Sequence, residues 1–360
     1  MRRPHAFSMV EVLVAAAIAA VVVTIAVQTS VSITSSIDQL RKQAPAQIDA
    51  RLLNDFLLEQ IQEAGGGGVR PWHAITVDDG CGATGNGLAA CGGGDRLRVF
   101  FSDPLAAACT LTAKSASAFT STAIDTDGVG GVDTCCPVAN GMADGVVAMT
   151  DPTDAARVAF YHTGSAATGL GSCTLNILNS DAKIPGMEAV GAIPPLNAQI
   201  TKGRIFVYQM LRNDGAACVA AAGATGCDLV RYEDADRNNA FIAAERSTIA
   251  TRVFDFQVAL GYDSNPANGV ITEAGTTTDE WVGTVASDLK PTGGTGPTLR
   301  MARFGVATGA AMIGGPTRSV RMLNRAAGVT GDINADGVSD FWIEGVVGTA
   351  YLRNVFVFDQ

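Results

Sequence analysis

The first 64 residues carry two hydrophobic patterns, one continuous and one periodic. An almost unbroken apolar run extends from Phe7 to Val27 and is long enough to cross a bilayer as a helix. The chain then becomes polar, and apolar residues return with helical spacing between positions 48 and 61. We therefore predict one long helix with a membrane-spanning half (7–27) and an amphipathic half (28–64). The predicted apolar stripe of the second half consists of Ile48, Leu52, Leu53, Phe56, Leu57 and Ile61.

Two sequence features affect the amphipathic half. Pro45 has no backbone N–H, which predicts a kink or a break in the helix nearby. The glycine run 65–68 predicts the end of the helix. A continuous helix from Phe7 to Ala64 would be about 87 Å long at about 1.5 Å per residue, so it would place a membrane anchor far below the rest of the chain.

Beyond the glycine run the hydrophobic segments are short and rich in Val, Phe and Tyr, and several alternate with period two. Glycine- and threonine-rich stretches separate them, and no repeat of fixed period is present. This pattern predicts an α+β fold, with the amphipathic helix packed on an antiparallel sheet in a single head over residues 65–360. The predicted strands are 96–101, 156–162, 204–212, 227–233, 251–262 and 351–359.

Glu11 is an acid inside the apolar run. A carboxylate at bilayer depth costs about 2.5–3.5 kcal/mol on insertion scales, and such residues usually have a function. A cleaved secretory signal fits poorly, because the run is too long and lacks a convincing A-x-A site. A plain anchor leaves Glu11 unexplained. Arg2 and Arg3 instead fit a short leader that stays in the cytoplasm.

The stretch AFSMVEVLVA resembles the signal of type IV prepilins and pseudopilins, in which a glycine precedes F-T/S-L-x-E. The resemblance implies a leader over residues 1–6, which prepilin peptidase removes by cutting between Ala6 and Phe7 before methylating the new terminus. Ala6 replaces the usual glycine. The resemblance also implies that Glu11 meets the free amino terminus of a neighbouring subunit during assembly. Phe7 and Glu11 share one helix face, and a buried acid facing an amine fixes the register of subunits.

Two further stretches, one in the amphipathic half of the helix and one in the head, narrow the resemblance to PilW-like minor pilins. ARLLNDFLLEQIQEAG resembles the end of their first helix, and FVYQMLRNDG with CDLVRYED resembles a later hairpin. The resemblance implies a pilin-like fold anchored in the inner membrane by one helix, with a periplasmic head, that later enters a pilus or pseudopilus. It would pack against other major and minor pilins to initiate or cap a filament.

Two other functions remain open at this point. PilW-like proteins are related to the J-type minor pseudopilin of type II secretion, so the same residues support that function. Region 69–200 resembles nothing recognisable and could instead be an adhesive or ligand-binding module at a filament tip. The net charge of −10 and the lack of a basic stripe exclude nucleic acid as a partner. No catalytic motif is present, so we expect no enzymatic activity.

The eight cysteines all follow the apolar run, and none forms a CxxC pair. An even number in an exported portion predicts disulfides rather than a zinc site. Cys81 with Cys91, and Cys218 with Cys227, each bracket a short loop rich in glycine and alanine, which predicts two local bridges. The pairing of the others stays open; these are Cys109, Cys135, Cys136 and Cys173.

Two acidic loops have the spacing of calcium ligands. In 332–340 the acidic and amide residues alternate around a glycine turn, which suits a hard cation with several oxygen ligands. Loop 234–245 resembles an EF-hand loop, although Asn239 replaces its glycine. We expect loops stapled by calcium as well as by disulfides. The predicted ligands are Asp332, Asn334, Asp336, the Val338 carbonyl and Asp340 in the first loop, and Asp234, Asp236, Asn238 and Glu245 in the second.

Overall fold

The computed structural model describes most of the N-terminal helix and the strands of the head. The described residues are 9–66, 69, 71–78, 88–91, 94–103, 109–114, 118–123, 145–151, 153, 158–169, 172–177, 196–218, 226–233, 241–263, 281–282, 298–311, 319–320, 329–330 and 341–351.

Helix α1 runs without interruption over Met9–Gln62, 54 residues, with Pro45 inside it. The sequence predicted a kink or a break near Pro45, and the helix is not broken there. A proline removes one hydrogen bond of the ladder, and the long helical segments on both sides continue past it. After the helix, Gly65 takes a positive φ of 84°. Its N–H donates to the carbonyl of Phe100 at 2.8 Å, so the chain passes directly from the helix to the sheet.

The buried face of α1 differs from the predicted stripe. Ile48 and Leu52 are 56% and 63% exposed, so their assignment to the core is wrong, and Phe56 is only half-buried. The face that packs on the sheet repeats at intervals of three and four residues and uses alanine at three positions, where a small side chain lets the helix backbone approach the strands. The buried residues are Ala46, Ala50, Leu53, Leu57, Ile61 and Ala64.

The head is an antiparallel sheet, so the predicted α+β, pilin-like class is confirmed. The described part of the head contains a four-residue helix, α2 (Pro71–Ala74), and a 3₁₀ turn at Ala243–Glu245. Its other regular elements are strands. The strands are β1 Ile75–Asp78, β2 Arg96–Ser102, β3 Cys109–Lys114, β4 Ala118–Ala123, β5 Gly145–Thr150, β6 Val158–Gly169, β7 Ser172–Ile177, β8 Gln199–Leu211, β9 Cys227–Glu233, β10 Arg246–Asp263, β11 Trp281–Val282, β12 Thr298–Ala311, β13 Ser319–Val320, β14 Val329–Thr330 and β15 Phe341–Tyr351.

The long strand β8 pairs with different strands along its length. Its C-terminal part pairs with β2 and β9 and continues the order β15–β12–β10–β9–β8–β2–β1. Its N-terminal part pairs with β5 on one side and β3 on the other. Because β3, β4, β7, β6 and β5 are also paired in that order, these strands and the start of β8 close into a six-stranded ring. Within the described part of region 69–200, strands β3 to β7 and the start of β8 therefore form this ring.

Helix α1 lies across β12 and β15 and reaches β8 at its C-terminal end. The Thr308 hydroxyl donates to the carbonyl of Ala46 at 2.8 Å, and the Tyr208 hydroxyl donates to Oε1 of Gln60 at 2.9 Å. The rings of Phe56 and Tyr208 meet edge to face with centroids 6.2 Å apart. Both ends of the docked segment are thus held by polar contacts beside the apolar face.

A buried charged network that the sequence patterns did not indicate ties β1 to β2. Arg96 is 1% exposed and donates from Nε to Gln209 Oε1 at 2.7 Å. Asp78 lies opposite Arg96 in the strand pair. Its carboxylate forms ion pairs with Arg96 and with Arg98, whose Nη1 lies 2.7 Å from Oδ2 of Asp78. Burial, then the neighbouring Arg98, lowers the pKa of Arg96 to about 10. The shared carboxylate offsets the burial of two guanidinium groups.

The seat of the helix depends on the absence of a side chain at Gly348 in β15. A Cβ there would meet Oδ1 of Asn54 and would lie 2.6 Å from Cζ of Phe304. We expect Gly348→Ala to lower the free energy of unfolding by about 1–3 kcal/mol, because either helix α1 or the aromatic side chain of Phe304 must move. Chemical denaturation of the chain in detergent micelles measures this, and Asn54→Ala should relieve part of the loss. An equal loss in both backgrounds would contradict the assignment.

Candidate functional site: the N-terminal helix

The membrane half of α1 projects from the head. Every described side chain from Met9 to Val27 is exposed, and among described residues the first buried side chain of the chain is Ala46. By length and composition the helix is able to cross a membrane. Exposure of so many aliphatic side chains to water is energetically unfavourable. This half of the helix therefore requires a bilayer or the apolar surface of another protein.

Glu11 lies in the first turn of the described helix and is exposed among apolar neighbours. Its immediate surroundings include Val10, Val12 and Leu13, which are 66%, 58% and 63% exposed. Ala6 and Phe7, the predicted processing site, lie outside the described residues. The structure therefore places the acid near the start of an exposed apolar helix.

Hydroxyl groups in the middle of α1 are satisfied within the helix. Thr24 and Thr29 donate to the carbonyls four residues earlier at 2.8 Å, and Thr34 and Ser36 do so at 2.9 Å. A side chain bonded in this way adds no unpaired polar group. The helix can therefore pass from the apolar to the polar part of its sequence inside or near a membrane without breaking its hydrogen bonds.

The predicted bridge between Cys218 and Cys227 is confirmed, with Cα atoms 6.1 Å apart. It closes the loop between β8 and β9, which pair as the sequence predicted. Cys91 and Cys109 are also disulfide-bonded. The partners predicted or left open for them include Cys81, Cys135 and Cys136, which lie outside the described residues, and Cys173, which lies in β7. The remaining connectivity stays open.

The predicted calcium ligands fall mostly outside the described residues, namely the whole loop 332–340 and residues 234–240. The last predicted ligand, Glu245, ends the 3₁₀ turn, and its Oε2 accepts from the N–H of Ile242 at 3.2 Å. Within the described part of the chain, no three His, Cys, Asp or Glu residues lie together as a metal site. Calcium binding at either loop therefore stays a prediction.

Comparison with known proteins supports the assignment of the N-terminal helix. A family profile described as the prokaryotic N-terminal methylation motif matches residues 1–27. No curated protein and no solved structure matches the chain significantly. The motif and the exposed apolar helix indicate a protein of the type IV pilin or pseudopilin type. They imply processing by prepilin peptidase, anchoring by one N-terminal helix and assembly with other pilins in a membrane.

Proposed function

We propose that the chain is a minor pilin of a type IV pilus, similar to PilW-like proteins, and a structural subunit without enzymatic activity. The observation that carries the proposal is the exposed apolar half of α1, with Glu11 near its start and the methylation motif over residues 1–27. The head is seated on the helix only from Ala46 onward. The projecting half is then available for side-by-side packing with other subunits as the chain initiates or caps a filament.

The shape of the head supports a role at a filament end. The six-stranded ring extends the sheet beyond the strands on which α1 lies. In a repeating filament, a head that carries these additional strands must clear the copies above and below it. A subunit at one end needs that clearance on one side only, so the added ring favours a minor role over that of the main repeating subunit.

Minor pseudopilin of the J type in type II secretion is the second candidate. The same motif and helix support it, because both machines assemble processed subunits of this type. A third function, adhesion or ligand binding at the tip, has one supporting observation: strands β3 to β7 of the ring are additional to β12 and β15, on which α1 mainly packs. Each of the three functions predicts a different effect of deleting the protein.

Deletion and quantification distinguish these candidates. We expect a deletion strain to carry few surface filaments and to regain them with the wild-type chain. Quantitative mass spectrometry of sheared filaments should find this chain at a small fraction of the main subunit. Normal filaments with failed export of folded proteins would point to the pseudopilin, and normal filaments with lost attachment would point to adhesion.

The proposal includes calcium as a stabiliser of the head. We expect EDTA to lower the melting temperature of the chain in detergent micelles, and calcium to restore it, because a ligand that binds only the folded state stabilises it. Asp336→Ala, at the centre of loop 332–340, should melt at the lower temperature with or without EDTA. A wild-type melting temperature that EDTA leaves unchanged would contradict calcium binding.

A further inference from the structure

Strand β15 is an edge of the large sheet, and its C-terminal part has no partner on its outer side. In the described part of the chain, β15 pairs with β12 and with no other strand. Residues 345–351 make no further hydrogen bond there. This segment, here called the open edge, is about 23 Å long at about 3.3 Å per residue. An edge strand presents a row of unpaired N–H and carbonyl groups to which another strand can add.

The alternation of hydrogen bonds across the sheet shows which backbone groups of the open edge point outward. In β10, the carbonyl of Phe256 and the N–H of Val258 bind Asp95 and therefore point away from β12. Carried through the β10–β12 and β12–β15 registers, this alternation directs the N–H and carbonyl groups of Val347 and Thr349 outward. The intervening residues direct theirs toward β12.

The open edge lacks the features that usually prevent strand addition. Its sequence, GVVGTAY, contains no charge and no proline, and its register with β12 has no bulge. Val347 and Tyr351 are 52% and 66% exposed. Proteins normally protect an edge of this kind with lysine, proline, a bulge or a covering element. An unprotected edge of this length indicates that a strand from another polypeptide pairs with it.

Helix α1 borders the open edge on one face of the sheet. Asn54 lies over Gly348, on the flank of the helix opposite Gln60, which binds Tyr208 of β8. Leu58 lies one turn further along the flank of Asn54 and is half-buried. Oδ1 of Asn54 is buried and has no hydrogen-bond donor among the described residues. An added strand would pack against this flank and bring donors to an unsatisfied acceptor.

The direction of β15 limits how a second copy of this chain could fill the site. Glu344 lies opposite Thr308, whose hydroxyl binds the carbonyl of Ala46, and Gly348 lies at Asn54. Strand and helix therefore run in the same direction. Antiparallel pairing of two open edges would point the two α1 helices in opposite directions, so both could not enter one membrane. Parallel pairing of two copies is less stable.

We propose that the open edge binds an extended segment of a different protein, which adds to the sheet as a strand beside α1. The backbone row supplies the affinity in this mode of recognition, and the flanking side chains supply the specificity. The segment is uncharged and rich in β-branched or aromatic residues, because it lies beside Val347 and Tyr351 on one face and Leu58 on the other. This inference goes beyond the proposed function and holds for each of the three candidate functions.

Site-specific photocrosslinking in cells that produce the full chain identifies the occupant. A photoreactive amino acid is placed at Val347 or Tyr351, and at Ile242 as a control, which is 47% exposed but lies outside the open edge. We expect adducts from both edge positions to map to one short segment of a different protein, and none from Ile242 to map there. Adducts to a second copy of this chain, to residues 352–360 of the same chain or to the N-terminal helix of another subunit would overturn the proposal. So would an absence of adducts, or equal yields at the control.

Proline substitutions test whether the contact is made by the backbone. Val347→Pro removes an N–H that points outward, whereas Ala350→Pro removes one that points toward β12. We expect Val347→Pro to reduce the adducts from Tyr351 by about tenfold or more and to leave the melting temperature in detergent micelles unchanged, and Ala350→Pro to lower the melting temperature. Val347→Lys keeps the N–H and the ladder with β12, and it should reduce the adducts as well. Wild-type adduct yields in both Val347 variants would overturn the proposal.

Discussion

Replacing Glu11 with alanine is expected to leave the chain processed, inserted and folded but almost absent from filaments. Glu11 is far from the head, since the first buried side chain of α1 among described residues is Ala46, so head stability should not change. If the acid meets the amino terminus of a neighbour in an apolar environment, its loss leaves that amine unpaired. Removing one partner of such a buried pair costs about 3–5 kcal/mol, which corresponds to more than about a hundredfold in assembly.

Quantitative immunoblotting of sheared filaments and of membranes measures this effect. Glu11→Asp keeps the charge on a shorter side chain and should assemble better than the alanine variant. Val12→Ala, at the next position, serves as the control for a simple loss of side-chain volume. Equal recovery of the Glu11→Ala chain and the wild type in filaments would show that the acid has no part in assembly.

The second large effect concerns the seat of the helix. Leu57 is completely buried between α1 and the sheet, whereas Leu52 is 63% exposed on the same helix. We expect Leu57→Ala to lower the free energy of unfolding by about 2–5 kcal/mol, because it removes buried methyl groups and leaves a cavity. The same substitution at Leu52 should change it by less than about 0.5 kcal/mol.

Chemical denaturation of both variants in detergent micelles makes the comparison, with leucine-to-alanine chemistry held constant. The pair also tests which of the two apolar faces is the docked one. A larger loss for Leu52→Ala than for Leu57→Ala would contradict the orientation of the helix on the sheet.

The existence of the helix could be predicted from sequence, but the phase of its docked face could not. The apolar run and the later periodicity are local patterns, so they indicate a helix without knowledge of the fold. The amphipathic half, however, has two apolar faces. The sequence prediction placed Ile48 and Leu52 on the same face as Leu53 and Leu57, because all four are large and aliphatic. In the structure the sheet packs against the face that contains Ala50, whose small side chain permits close approach.

The difference between local sequence patterns and contacts made by the whole fold also explains which strands were predicted. The run 227–233 is compact and coincides with β9, while β6, β8 and β10 extend beyond the predicted segments. Strands β12 and β15 were missed, because glycine and alanine interrupt their hydrophobic pattern. Of the predicted strand 351–359, only Tyr351 lies among the described residues, at the end of β15. Closure of the ring depends on pairing between distant segments, which no local pattern specifies.

The candidate site was readable from sequence because it is short. The signal around Ala6, Phe7 and Glu11 depends on adjacent residues, and the matching motif covers the same segment. The ion pair of the buried Arg96 with the partly exposed Asp78 was not predicted. From sequence, charged residues in a strand are expected to face solvent. Their pairing becomes visible only when the partner strand is known.

The central claim is that this chain is cut before its apolar helix and built into a surface filament. Mass spectrometry of sheared filaments and of the membrane fraction tests it by a search for the N-terminal peptide. The account predicts a methylated terminus at Phe7 in the filaments. A terminus still at Met1 in both fractions would contradict it, since Glu11 would then belong to a simple membrane anchor.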